Sequence, residues 1–206
     1  KLFGEGHDHH AVKAHRLHEA RLLVAAQEYS AAAGLLEQLT QRQDAPAALF
    51  VNLGMVLSRL DRNDDALGAM ARAIALEPAN PLHLDTLAKY HRKLGQVDAA
   101  EAALVQALVL DEASPERIMA LGALYLSEGR YLEAADCFRE GTRLAPEEGH
   151  SHQQLGRALH KMNRYDAALS AFQTALQYDP ASAQVQFSMG GTHKRMGQMQ
   201  EAAHCY

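Results

Sequence analysis

The chain repeats itself every 34 residues, and that period limits its fold more than any other feature of the sequence. Windows at 13–46, 47–80, 81–114, 115–148, 149–182 and 183–206 align without insertion or deletion, the sixth running out before its end. The twentieth column reads Ala32, Ala66, Ala100, Ala134, Ala168 and Ala202, and the eighth reads Ala20, Gly54, Ala88, Gly122, Gly156 and Gly190. A position restricted to Gly and Ala marks a place where two helices approach so closely that a larger side chain collides. Large apolar residues recur beside them. The seventh column, broken by Glu19, holds Leu53, Leu87, Leu121, Leu155 and Met189, and the twenty-fourth holds Leu36, Met70, Leu104, Phe138, Phe172 and Tyr206. The fifteenth column, with Gln27, Asp61, Gly95, Gly129, Asn163 and Gly197, is rich in residues that tolerate a left-handed backbone and end helices. Pro78, Pro146 and Pro180 stop the second helix of their windows. Each window therefore predicts helix, tight turn, helix, and the chain predicts an all-α array over 13–206 behind a His-rich tail at 1–12.

Composition fits stacked helices and narrows the function. Alanine is abundant, Trp is absent and aromatic residues make up 6% of the chain, which favours close helix packing over a sheet. With 48% hydrophobic residues the chain is folded, yet no run of about 18 apolar residues offers a membrane span. No secretory leader opens it, which favours a cytoplasmic setting, although a chain that starts at Lys1 leaves room for one upstream. A net charge of −5 argues against nucleic acid, whose binders gain affinity by neutralising phosphates.

These columns resemble the tetratricopeptide repeat family. The resemblance covers 13–206 and is best carried by Ile118, Leu121, Gly122, Tyr125, Ala134, Phe138 and Pro146. The first window departs most, with Arg16, Glu19 and Asp44 where a bulky residue, Leu and Pro are expected, as befits an end repeat facing solvent. The resemblance implies a right-handed superhelical solenoid of stacked antiparallel helix pairs, concave on the first-helix side. Since Ala202, Ala203 and Tyr206 lie where a further helix would pack, a longer protein is expected beyond Tyr206.

Catalytic constellations are missing from the sequence: it has no glycine-rich phosphate loop, nucleophile elbow, HExxH helix or CxxC pair, so the expectation is a chain that is not an enzyme and needs no cofactor. Cys137 and Cys205 fall in the same column two repeats apart, too distant for a disulfide. Histidine is the oddity. His7, His9, His10, His15 and His18 crowd the amino-terminal end and could ligate zinc, copper or nickel, but a short tail without Cys or paired carboxylates reads more simply as a solvated lead-in. His150 and His152 point apart on a helix.

In the family, columns 2, 5, 6, 9, 12 and 13 line the concave face. Here they carry Arg21, Arg59, Lys89, Arg92, Lys93, Arg157, Lys161, Lys194 and Arg195 against Asp85 and Glu116, a net of plus seven that leaves minus twelve for the rest of the chain. Such a lining focuses its field on an acidic ligand. Six of these cations stand at columns 12 and 13, where Lys and Arg also favour the helix carboxyl end whatever the protein binds. Column 9 alternates cation with apolar or small residue: Arg21, Met55, Lys89, Ala123, Arg157, Gly191. Column 6 is mostly polar, including Asn52 and Gln154, and suits hydrogen bonds to a bound backbone. Of the family's clamp for chaperone carboxyl tails only Asn52 is matched, which disfavours that role. The leading expectation is a protein-interaction scaffold whose groove takes an extended or helical, acidic segment. The alternative is the substrate-docking or regulatory region of a larger transferase or hydroxylase, and a third reading is self-association through the repeat ends.

Overall fold

Turns decide where each helix of this chain stops. In the computed structural model, which describes residues 16–205, the six residues of the fifteenth column all have positive φ: Gln27 (62°), Asp61 (56°), Gly95 (70°), Gly129 (76°), Asn163 (60°) and Gly197 (78°). The residue after each donates its backbone N–H to a carbonyl five positions back, for example Arg62 to Leu57 at 3.0 Å, Arg130 to Tyr125 at 2.9 Å and Arg164 to Leu159 at 2.9 Å. This is the Schellman closure, which satisfies a helix-end carbonyl and turns the chain sharply.

Every regular element among the described residues is an α-helix. They are α1 (16–25), α2 (Tyr29–Thr40), α3 (Ala47–Arg59), α4 (Asn63–Leu76), α5 (Pro81–Lys93), α6 (Val97–Leu110), α7 (Pro115–Ser127), α8 (Tyr131–Leu144), α9 (Gly149–Lys161), α10 (Tyr165–Tyr178), α11 (Ala183–Arg195) and α12 (Met199–Cys205). Pro81 and Pro115 open their helices, where a missing N–H costs nothing, behind the side-chain caps Asn80 and Ser114. No side chain caps the start of α2, α3, α4, α8, α9, α10 or α11. The proline that follows α4, α8 or α10 comes directly after the C-cap residue Glu77, Ala145 or Asp179.

The chain divides into two compact units between Ala103 and Leu104, within α6. In the first unit α2 packs on α3, α3 on α4 and α4 on α5, around a core that includes Leu36, Val56, Leu57 and Met70. In the second, each helix from α7 to α12 packs on the next, and α9 also touches α7 and α11.

Column sizes are matched within each repeat. A Cβ added to Gly122 would lie 2.7 Å from Cε1 of Phe138, and one added to Gly156 would lie 2.6 Å from the Phe172 ring, so each glycine is the seat of a buried phenyl. The crowding read from the eighth column thus comes mainly from a ring. At Gly54, opposite Met70, the nearest atom is instead backbone, the Ala66 carbonyl at 3.2 Å.

A second tie joins successive repeats through the third column of the first helix. His83 Nε2 is 2.9 Å from Glu77 Oε2, buried Arg117 donates to Asp111, and buried Ser151 donates to Glu148 at 2.9 Å. Each carboxylate lies at the end of the preceding second helix or in the linker after it. Hydrogen bonds from Asn80 and then His83 hold the Glu77 carboxyl below its usual range.

Two glycine substitutions separate seat from filler. Gly122→Ala forces the Phe138 ring aside and is expected to cost about 1–3 kcal/mol. Gly68, in the interior of α4 with nothing within 4 Å of an added Cβ, is expected to gain about 0.5–1 kcal/mol as Gly68→Ala. Urea melts of the two variants check both signs.

Candidate functional site

First helices bury the side that meets their partners and leave the other wet. On α9, Ser151, Gly156, Ala158 and Leu159 are buried whereas Arg157 and Lys161 are exposed. Several groove positions therefore reach solvent, and the columns can be followed in each unit separately.

In the first unit Arg21, Asn52 and Met55 come together. With Leu17, Val24 and Leu36 they line a cleft of about 100 Å³ between α1 and α3. Arg59, Lys89 and Arg92 are exposed near or at the ends of α3 and α5. Lys93 is engaged differently: its Nζ donates to the Ser58 carbonyl at 2.6 Å and to Asp61 at 3.0 Å, tying α5 to the end of α3.

In the second unit a hydrogen-bonded row runs along α9, with Arg157 donating to Gln154 Oε1 at 2.9 Å and Gln154 Nε2 lying 3.2 Å from His150 Nε2. Arg157 and Lys161 border a cavity of about 210 Å³ whose other walls come from His160, Phe172, Phe187, Ser188 and Gly191. Lys194 and Arg195 are exposed in the last turn of α11. Neither α9 nor α11 contains an acidic residue, and none of Arg157, Lys161, Lys194 and Arg195 forms an ion pair with a described residue.

Outer helices behave otherwise. Arg62 pairs with Glu37 and Asp65, Arg130 with Glu133, Arg139 with Asp136, and Arg143 with Glu140, while Arg72 lies over the Phe50 ring.

Three site residues escape a search for charge. Phe187 is an apolar side chain left 68% exposed in column 5, and Gln153, also in column 5, is buried with its Nε2 donor unpartnered. The third is His160, in column 12. Thr192, fully buried, donates its hydroxyl hydrogen to the Ser188 carbonyl at 2.8 Å, so the 2.9 Å contact between His160 Nδ1 and Thr192 Oγ1 requires Nδ1 to carry the proton. Reading the groove columns for all side chains, not only for cations, would have found all three.

Of the amino-terminal histidines, His7, His9, His10 and His15 lie outside the described residues, and His18 is exposed on α1. Neither Cys137 nor Cys205 is in a disulfide. Among the described residues no group of three or more His, Cys, Asp or Glu could hold a metal, and no helix is long and apolar enough to cross a membrane.

Burial first, then Lys161 and Arg195, push the His160 imidazole below its ordinary value of 6.5. Above that pH the ring is neutral in both folded and unfolded chains. As pH falls through 6.5 the unfolded chain takes up the proton first, so stability declines. His160→Asn, which keeps a donor toward Thr192, is expected to lose less melting temperature than the parent when pH is lowered from about 7.5 to about 5.5. Equal losses would contradict this account.

Comparison with known proteins follows the same geometry. A profile described as tetratricopeptide repeat matches residues 17–81 and 86–148, and one described as TPR repeat matches 156–197. The peroxisomal targeting signal receptor of Kluyveromyces lactis is 21% identical over 210 residues, covering 84% of this chain and 37% of the receptor. Human protein O-mannosyl-transferase TMTC1 is 25% identical over 164 residues, covering 78% of this chain and 19% of the transferase. The chain thus spans well under half the length of these relatives. A tetratricopeptide repeat protein from Parabacteroides merdae superposes with a TM-score of 0.80 at 17% identity, over 94% of this chain and 77% of that one. YrrB, described as a TPR protein with an unusual peptide-binding site, does so with a TM-score of 0.66 at 17% identity, over 82% and 88%. At such identities the structural likeness speaks for the fold, an all-α repeat solenoid. Profile matches across most of its length, over helix pairs that begin at Ala47, Pro81, Pro115, Gly149 and Ala183, make this chain a member of the tetratricopeptide repeat family.

Proposed function

We propose that the chain is a protein-interaction scaffold that binds an extended or helical acidic segment of a partner on the face formed by its first helices. The observation that carries the reading is a contrast in charge pairing within the second unit: Arg130, Arg139 and Arg143, at the start of and within α8, are each matched by a carboxylate three residues away, while the four cations of α9 and α11 have none. Cations left unmatched around a concavity raise the local potential for an anionic ligand. Two further features favour a polypeptide. The Gln153 amide is a buried donor in need of an acceptor such as a peptide carbonyl, and Asn52 in the first unit and Gln154 in the second offer amides at the same repeat column. A targeting-signal receptor and a protein with a peptide-binding site among the relatives are in keeping with this role.

Arg21→Glu, Lys89→Glu and Arg157→Glu, combined in one chain shown by circular dichroism to stay folded, are the test. Proteins captured from lysate by the parent are expected to be lost by the variant, and binding by the parent is expected to weaken as salt is raised. Identical capture by both would move the binding surface elsewhere.

A second reading is a docking or regulatory region within a larger enzyme, favoured by the match to a transferase over 78% of this chain. It predicts a catalytic domain in the same reading frame. The gene sequence on both sides of the present 206 residues decides it, the lack of any such domain removing the idea.

A further inference from the structure

We infer that the cavity between α9 and α11 is a specificity pocket that takes one bulky apolar side chain from within an acidic segment, an inference that rests on the reading of the first-helix face as a site for such segments. Its floor is the Phe172 ring, 1% exposed, and one wall is Phe187, 68% exposed. An aromatic ring left this wet beside a buried one is an apolar surface that a ligand side chain can cover. Gly191 keeps the space open, since a Cβ built there would have nothing within 4 Å. Around the mouth stand Arg157 and Lys161, and with no carboxylate on either helix the rim repels a basic neighbour and attracts an acidic one.

The first unit supplies an independent comparison. Its cleft between α1 and α3 is built at the same repeat columns: Arg21 matches Arg157, Val24 matches His160, Leu36 matches Phe172, Asn52 matches Ser188, and Met55 stands where Gly191 leaves room. That cleft is about 100 Å³ against 210 Å³. A methionine at this column goes with half the space, and a glycine with room for a side chain of Leu, Met or Phe size.

The charge layout favours an internal stretch of the ligand over its end. Four cations distributed along α9 and α11 exceed what one terminal carboxylate can meet, and all stand in the carboxyl-terminal halves of their helices, where no free backbone N–H groups gather to hold a chain end. Asp or Glu residues on both sides of the apolar one satisfy them.

Fluorescence anisotropy with labelled, amidated peptides of about twelve residues tests the pocket. One peptide has a central Leu flanked by pairs of Glu, a second replaces the Leu with Ser, and a third replaces the Glu residues with Gln. Each replacement is expected to weaken binding by about tenfold or more. Gly191→Met, which the open space accommodates, is expected to make the Leu and Ser peptides bind alike while the preference for Glu over Gln persists. Phe187→Ser, on an exposed side chain, is expected to act in the same direction, and thermal melts of both variants confirm folding. Equal binding of the Leu and Ser peptides by the parent, with the Glu preference intact, overturns the pocket and leaves the acidic groove standing. Loss of the Glu preference, or no binding by any of the three, overturns both. A free-acid peptide ending in Leu that binds tenfold tighter than its amide overturns the internal-segment assignment.

Discussion

Contact between the eighth and twenty-fourth columns sets the rest of each repeat. Where the twenty-fourth residue is a phenylalanine, as at Phe138 and Phe172, the eighth is glycine, and the ring lies so close that a methyl group could not be added. Where the twenty-fourth is leucine, as at Leu36, the eighth is Ala20. The volume lost on one helix is supplied by the other, so packing density is kept while the chemistry of the pair changes. This contact also fixes the rotation of the first helix about its axis. Once Gly156 must face Phe172, residues Arg157 and Lys161 are turned away from the second helix and toward solvent. The proposed binding face is in that sense a consequence of the core.

Much of this was legible in the sequence, because the period puts equivalent environments in register. The fifteenth column could be read as a helix stop even at Gln27, a residue that alone would never suggest it, since five neighbours in register carried the signal. The small-residue columns were likewise plain. What the sequence left open was the partner of each buried position. That Gly122 answers Phe138 needs only a comparison of two columns, but nothing short of coordinates says whether the close neighbour is a ring, as there, or a backbone carbonyl, as at Gly54.

Polar ties were the harder part. His83, Arg117 and Ser151 share a column yet have nothing in common as residue types, and each reaches a carboxylate at a different offset or of a different kind. A column conserved in role but not in chemistry is invisible to a comparison of letters. The same holds for His160, whose proton is placed by a hydroxyl two helices later in the chain, and for Phe187, which a charge count passes over.

The fate of column 13 shows how one position becomes structural in one repeat and is left unpaired in another. Lys93, Lys161 and Arg195 all end a first helix, and each follows by one repeat the turn residue of the fifteenth column. For Lys93 that residue is Asp61, and the ammonium is drawn 3.0 Å from its carboxylate and 2.6 Å from the Ser58 carbonyl. For Lys161 the corresponding residue is Gly129, and for Arg195 it is Asn163; neither offers a charge, and neither cation is paired. Both requirements of the turn, a residue that tolerates positive φ and one that leaves the next cation alone, are met by glycine and asparagine. Aspartate meets only the first. The choice among residues that end a helix equally well therefore also decides how much positive charge the groove presents one repeat later.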